Sequence, residues 1–156
     1  MVNVFQLRVR TQFWLKDVLP MVEAKYRTLP GSANRGIAGL SMGGGQAISI
    51  GFGHLEMFDA IGAFSAAVPN GFATQFASVI ATPDQVNKQL SLLWIGCGKD
   101  DAAVQRSQDI GNLLTEKGIH HTLRITDGVH NFEAWRRYLA EFTPLLFSRN
   151  SNPDAK

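Results

Sequence analysis

Four of the seven residues from 39 to 45 are glycine, and a single hydroxyl, Ser41, stands among them in the run Gly39-Leu40-Ser41-Met42-Gly43-Gly44-Gly45. A short apolar run, Arg35 to Leu40, precedes the serine, and a small-residue helical pattern from Met42 to Gly53 follows it. A strand that passes directly into a helix brings two backbones together. Small residues two places before and after the serine, Gly39 and Gly43, permit that approach. The serine is left on a strained turn that lifts Oγ to the carboxyl edge of a sheet. The helix N-terminus, with the N–H of Met42, then faces any negative charge that develops there. The plain alternative is a glycine-rich turn that binds phosphate or only packs.

The rest of the chain supplies a fold for that turn. Its 156 residues are one domain's worth, and 45% hydrophobic against 18% charged residues excludes intrinsic disorder. Helical spacing of Phe13, Val18, Val22 and Tyr26 predicts a helix over 12–27, with Pro20 imposing a kink or a late start. Residues 29–34 read as a loop. Further strands are predicted at 60–64, 90–96 and 119–125, and further helices at 101–117, ended by Gly118, and at 132–147. The mixed stretch 72–88 reads as a loop or short-helix excursion. Strands alternating with helices at this spacing imply an α/β class with a mainly parallel sheet of four to five strands. The domain is expected to span 1–147, with 148–156 a disordered polar tail.

The order of the remaining reactive residues matches what a serine nucleophile needs. Serine hydroxyl is a poor nucleophile until a base takes its proton, and that base needs a carboxylate to fix its tautomer. The apolar strand ending at Gly96 runs into Cys97-Gly98-Lys99-Asp100-Asp101, and the next strand runs into Thr126-Asp127-Gly128-Val129-His130. Asp101 is favoured as the acid, with Asp100 a solvated neighbour or helix cap. Asp127, on the histidine's own loop, reads more naturally as a turn former. His120 and His121 fall at the entrance of their strand, and His54 in a turn after the elbow helix. No compact Asp/His ligand set offers a metal site, and the one cysteine, Cys97, reads as a small buried residue.

Charge adds little. The formal balance is +2, and no basic block exceeds Arg136-Arg137, so neither nucleic acid nor a membrane surface is expected as a partner. No apolar run approaches the ~20 residues of a membrane span. Arg8 and Arg10 follow the apolar Val2–Phe5 rather than precede it, so no signal peptide is legible. Location stays open, with the cytoplasm as the default.

Taken in order, Gly39-Leu40-Ser41-Met42-Gly43-Gly44, Ala63-Phe64-Ser65-Ala66, Trp94–Asp101 and His130-Asn131-Phe132-Glu133-Ala134-Trp135 resemble the esterase-D-like branch of the α/β-hydrolases. Within it, the sequence is most similar to the feruloyl and acetyl-xylan esterases of carbohydrate esterase family 1 and their enterochelin-esterase-like relatives. Asp17–Glu23 also looks like the helix those proteins carry before the elbow strand. The resemblance implies Ser41 as nucleophile, Asp101 as acid through the Gly98-x-x-Asp101 pattern, and His130 as base. Trp135 matches a recurrent aromatic, read as packing under the His130 loop, with substrate contact as the lesser alternative. The implied substrate is a small-molecule or carbohydrate-linked acyl ester, and no cofactor is needed. Relatives include secreted and periplasmic enzymes.

The chain also departs from that family. Only about 34 residues precede the elbow strand, and Val2–Arg10 is at best one short strand. No His-Gly loop for a second oxyanion donor is present, so the sequence looks like the carboxyl-terminal portion of a hydrolase. Loss of one such donor typically costs ~10²–10³ in rate. The expectations are therefore weak or absent esterase activity, unless another chain or residues 2–10 complete the site, and self-association through an exposed sheet edge. A non-catalytic interaction module and an acyltransferase are the competing readings.

Overall fold

A computed structural model describes residues 11–147. The expected strand within Val2–Arg10 and the polar tail at 148–156 lie outside the described residues. Among the described residues, those up to Gly31 form one compact unit and those from Ser32 a second.

In the first unit, a π-helical stretch over Phe13–Val18 passes into α1, Leu19–Lys25. The change of helix type falls between Val18 and Leu19, and Pro20 follows in the first turn of α1, where its missing N–H breaks no bond that the helix needs. Leu19 N–H reaches back five residues, to the carbonyl of Trp14. The kink or late start expected at Pro20 takes this form, and extended Tyr26 ends the helix.

The second unit is built on four parallel strands, β1 (Gly36–Leu40), β2 (Ala60–Phe64), β3 (Leu92–Gly98) and β4 (Thr122–Thr126), in the order β1-β2-β3-β4. One register row runs Leu40, Phe64, Gly96, Arg124, so the four carboxyl ends finish together along one edge. Among the described residues, β1 and β4 are the outer strands. All of β2 is buried, and β3 is buried from Leu93 to Gly98, as expected of central strands covered on both faces.

Alternation along the strands splits the core in two. On one face, Ile61, Ala63, Leu93 and Ile95 meet Ile48 and Phe52 of α2 (Met42–Gly53) and Ile110 and Leu114 of α6 (Val104–Glu116). On the other, Ala60, Phe64 and Trp94 meet Ala134, Tyr138 and Phe142 of α7 (Phe132–Phe142). There the Phe64 ring lies edge-on to Trp94 and Phe142, with centroids 5.3 and 5.5 Å away. This aromatic cluster seats α7 under the sheet and thereby fixes the loop that carries His130.

The excursion after β2 is helical, in three short pieces: α3 (Phe72–Gln75), α4 (Ala77–Ile80) and α5 (Pro83–Gln89). Phe72, Phe76, Ile80 and Val86 all enter the first core, so this stretch closes the core over α2. Element edges shift from the expected ones for local reasons. α6 starts at Val104, not Asp101, because residues 99–103 form the turn after β3. β4 starts at Thr122, not Ile119, because Ile119 N–H closes α6 on the Leu114 carbonyl after Gly118 turns left-handed (φ 72°). α7 stops at Phe142, short of Phe147, where Pro144 lies in a 3₁₀ turn over Thr143–Leu145.

Candidate active site

Ser41 is the N-cap of α2, with φ 53° and ψ −120°. A non-glycine residue holds such a conformation only when its surroundings over-determine it. Here the Ser41 N–H donates to Phe64 O at 2.8 Å, and its carbonyl accepts from Gly45 N–H at 3.1 Å and Ala67 N–H at 2.9 Å. The close approach is real at Gly39, where a Cβ would lie 2.4 Å from the Gly43 carbonyl, and at Gly45, where it would lie 2.2 Å from Ala67 O. Gly43, expected to be small for steric reasons, is not crowded at its own Cβ position. A Cβ there would meet nothing within 4 Å, so the crowding comes from its backbone and the need for glycine falls on Gly39 and Gly45. Met42 is the first residue of α2, directly after the serine.

Asp101 and His130 lie on two loops that are tied together. Lys99 N–H donates to Thr126 O at 2.7 Å and Asp100 N–H to Gly128 O at 3.1 Å. Asp101 is 3% exposed and accepts the Ala103 N–H on Oδ1 at 2.8 Å. Its Oδ1 and Oδ2 lie 3.0 and 2.9 Å from His130 Nδ1, and His130 Nε2 lies 2.9 Å from Ser41 Oγ. A carboxylate only accepts, so Nδ1 carries the proton and Nε2 accepts from the serine hydroxyl. Ser41, His130 and Asp101 therefore form one continuous hydrogen-bonded chain. Asp100 is exposed on the turn, and Asp127 is exposed and paired with Lys99 at 2.8 Å.

Trp135 meets His130 edge-on, with ring centroids 4.9 Å apart and planes at 90°, and the Phe132 ring lies 5.2 Å from Trp135. Asn131 caps α7 by accepting the Ala134 N–H. His54 pairs with Glu56, and His120 and His121 precede β4 at the opposite end of the sheet from Ser41. Among the described residues, no group of three His, Cys, Asp or Glu side chains could hold a metal ion. The pattern of residue types did not single out Ser65 for a role. It is wholly buried, has φ 46°, and continues the strand-end row beside Cys97, which is where a closer reading of register would have found it.

Burial works to raise the Asp101 carboxyl, but the Ala103 N–H, the Ser65 hydroxyl and His130 outweigh it and hold the group below its ordinary range. A carboxyl lowered by folding stabilises the folded state above the unfolded value and loses that contribution as pH falls through the folded one. Urea unfolding should therefore lose a component below about pH 4 that Asp101→Asn lacks. Parallel pH–stability curves for the two proteins would show that Asp101 contributes nothing to acid sensitivity.

A parallel sheet with helices on both faces and a serine on the strand-to-helix turn at its carboxyl edge is the architecture of an α/β-hydrolase. The chain belongs to the esterase family described as "Putative esterase", whose model matches residues 8–146. It is 25% identical to an acetyl esterase of Caldicellulosiruptor saccharolyticus, over 80% of this chain and 56% of that protein. Among solved structures it is similar to a ferulic acid esterase, with 29% identity, a TM-score of 0.75, and coverage of 87% of this chain and 59% of the other. The enterochelin esterase of Shigella flexneri shares the fold at a TM-score of 0.70 and 19% identity, over 96% of this chain and 39% of its own. The chain thus spans somewhat more than half the length of the acetyl and ferulic acid esterases it matches.

Proposed function

We propose that this chain carries a serine carboxylic-ester hydrolase centre with Ser41 as nucleophile, His130 as general base and acid, and Asp101 as the group that orients and balances the imidazole. The observation that carries this reading is the chain of contacts from Ser41 Oγ through His130 to Asp101, each within 3.0 Å. His130 Nε2 takes the Ser41 proton as Oγ bonds the acyl carbon, and the carbonyl oxygen gathers negative charge beside the Met42 N–H. Collapse breaks the ester C–O bond, and His130 gives its proton to the departing alcohol. Water then attacks the acyl-enzyme, losing a proton to His130, and the acid leaves as that proton returns to Ser41.

The favoured substrate class is an acyl ester of a sugar or similar alcohol, of acetyl or feruloyl type. Likeness to an acetyl esterase and a ferulic acid esterase supports that choice. A fluorophosphonate probe should label the chain at Ser41 and leave Ser41→Ala unlabelled. Equal labelling of both proteins, or of neither, would overturn the proposal, the second outcome favouring a non-catalytic module. Where labelling is positive, acetyl and feruloyl model esters with an added sugar acceptor would distinguish hydrolysis from acyl transfer by product.

A further inference from the structure

The segment Phe64–Ala67 links the nucleophile to the acid. Phe64 O accepts the Ser41 N–H, Ala67 N–H donates to Ser41 O, and between them Ser65 N–H donates to Gly96 O at 2.7 Å. Pinned in this way, Ser65 adopts φ 46°, a left-handed conformation that disfavours any residue with a Cβ. Its side chain is 0% exposed, and its hydroxyl makes no hydrogen bond of ordinary geometry among the described residues. Burying an unpaired hydroxyl is unfavourable in itself. Glycine at this position would relieve the backbone and remove the orphaned group, so serine carries two costs at once.

What lies beside that hydroxyl accounts for both. Its polar neighbours are the Asp101 carboxylate and the Cys97 thiol, and its presence favours the ionised acid. Around Asp101 the titratable groups are His130 from the β4–α7 loop, Cys97 from β3 and Tyr138 from α7. Asp101 accepts on Oδ1 from Ala103 and on both oxygens from His130, which leaves Oδ2 without a second donor among the contacts made. An ionised carboxylate has about four acceptor sites, so room remains for one more. We infer that Ser65 is a positioning residue whose buried hydroxyl turns onto the Asp101 carboxylate and holds the acid in register with His130. The backbone on either side of Ser65 is fixed to Ser41 and β3. The role rests on the reading of Ser41, His130 and Asp101 as the catalytic set.

Two variants and two measurements test it. Ser65→Ala removes the hydroxyl and keeps the backbone strain, whereas Ser65→Gly removes both and suits a positive φ, so it carries the test if the alanine variant fails to fold. Fluorophosphonate labelling of Ser41 should slow about tenfold in Ser65→Gly. The carbon-13 titration of the Asp101 carboxyl should move up by roughly half a pH unit or more. A slower rate with an unmoved Asp101 midpoint would overturn the inference, since it would mark a merely structural role. An unmoved midpoint with an unmoved rate would overturn it equally. Should the parent chain not label at all, the catalytic reading fails, and the Asp101 titration still decides whether Ser65 holds the acid.

Discussion

Asp101→Asn should lower the reactivity of Ser41 toward a fluorophosphonate or a model ester by about 10³–10⁴-fold. The reason is the tautomer. An asparagine keeps an oxygen for the Ala103 N–H that now reaches Oδ1 at 2.8 Å, so the turn is held. It then presents an amide N–H to His130 Nδ1, which must give up its own proton and become the acceptor. That leaves the proton on Nε2, facing Ser41 Oγ at 2.9 Å, and the base has no lone pair where the hydroxyl needs one. Asp100→Asn is the control. Its side chain is exposed on the same turn, and the variant should stay within about twofold of the parent. Comparable losses from both substitutions would mean that the loop, and not the Asp101–His130 contact, sets the rate.

The second large effect is structural. Gly45→Ala should destabilise the fold by about 3–5 kcal/mol, because its Cβ would stand 2.2 Å from the Ala67 carbonyl oxygen. That carbonyl cannot simply move aside. The N–H of Ala67 is bonded to Ser41 O, so the clash is transmitted to the turn that carries Ser41. Gly43→Ala meets open space and lies within α2, so it should change stability by no more than about 1 kcal/mol, in the stabilising direction. Chemical denaturation of the two variants side by side checks this. Equal losses would show that the helix start, and not contact with residue 67, demands small residues.

That contrast also shows what can be read from sequence and what cannot. The strand–serine–helix junction at 36–53 was legible because its periodicity changes within one residue and its glycines leave few alternatives. The exits of β3 and β4 were legible because apolar runs end at loops rich in Asp, Gly and His. Two adjacent carboxylates give the same composition, so sequence favours Asp101 over Asp100 without separating them, and the Gly98-x-x-Asp101 pattern of the resemblance points the same way. Geometry separates them, through a turn in which Asp101 accepts the Ala103 N–H and points inward while Asp100 stays exposed. Which glycine matters was not legible either, because crowding at Gly39 and Gly45 comes from Gly43 and Ala67, and Ala67 belongs to a different strand's exit. Residues 72–88 left their form open because four apolar positions, Phe72, Phe76, Ile80 and Val86, are spread over three helices and the junction between two of them, all too short to show a clear period. Ser65 lay hidden for the opposite reason, since nothing in its type marks it until register sets it beside Cys97.

The shared finishing row of the four strands divides the molecule by tolerance to redesign. The hydrogen-bonded chain of Ser41, His130 and Asp101 is made at one end of the sheet, past Leu40, Phe64, Gly96 and Arg124. The opposite end holds the strand entrances near Arg35, Asp59, Ser91 and His121, tied by their own local bonds, such as Asp59 N–H to Arg35 O and Ser91 N–H to Asp59 O. An affinity tag, a fluorescent reporter or a surface anchor grafted at the exposed Gly118 turn, at that end, leaves the reacting groups a full strand length away.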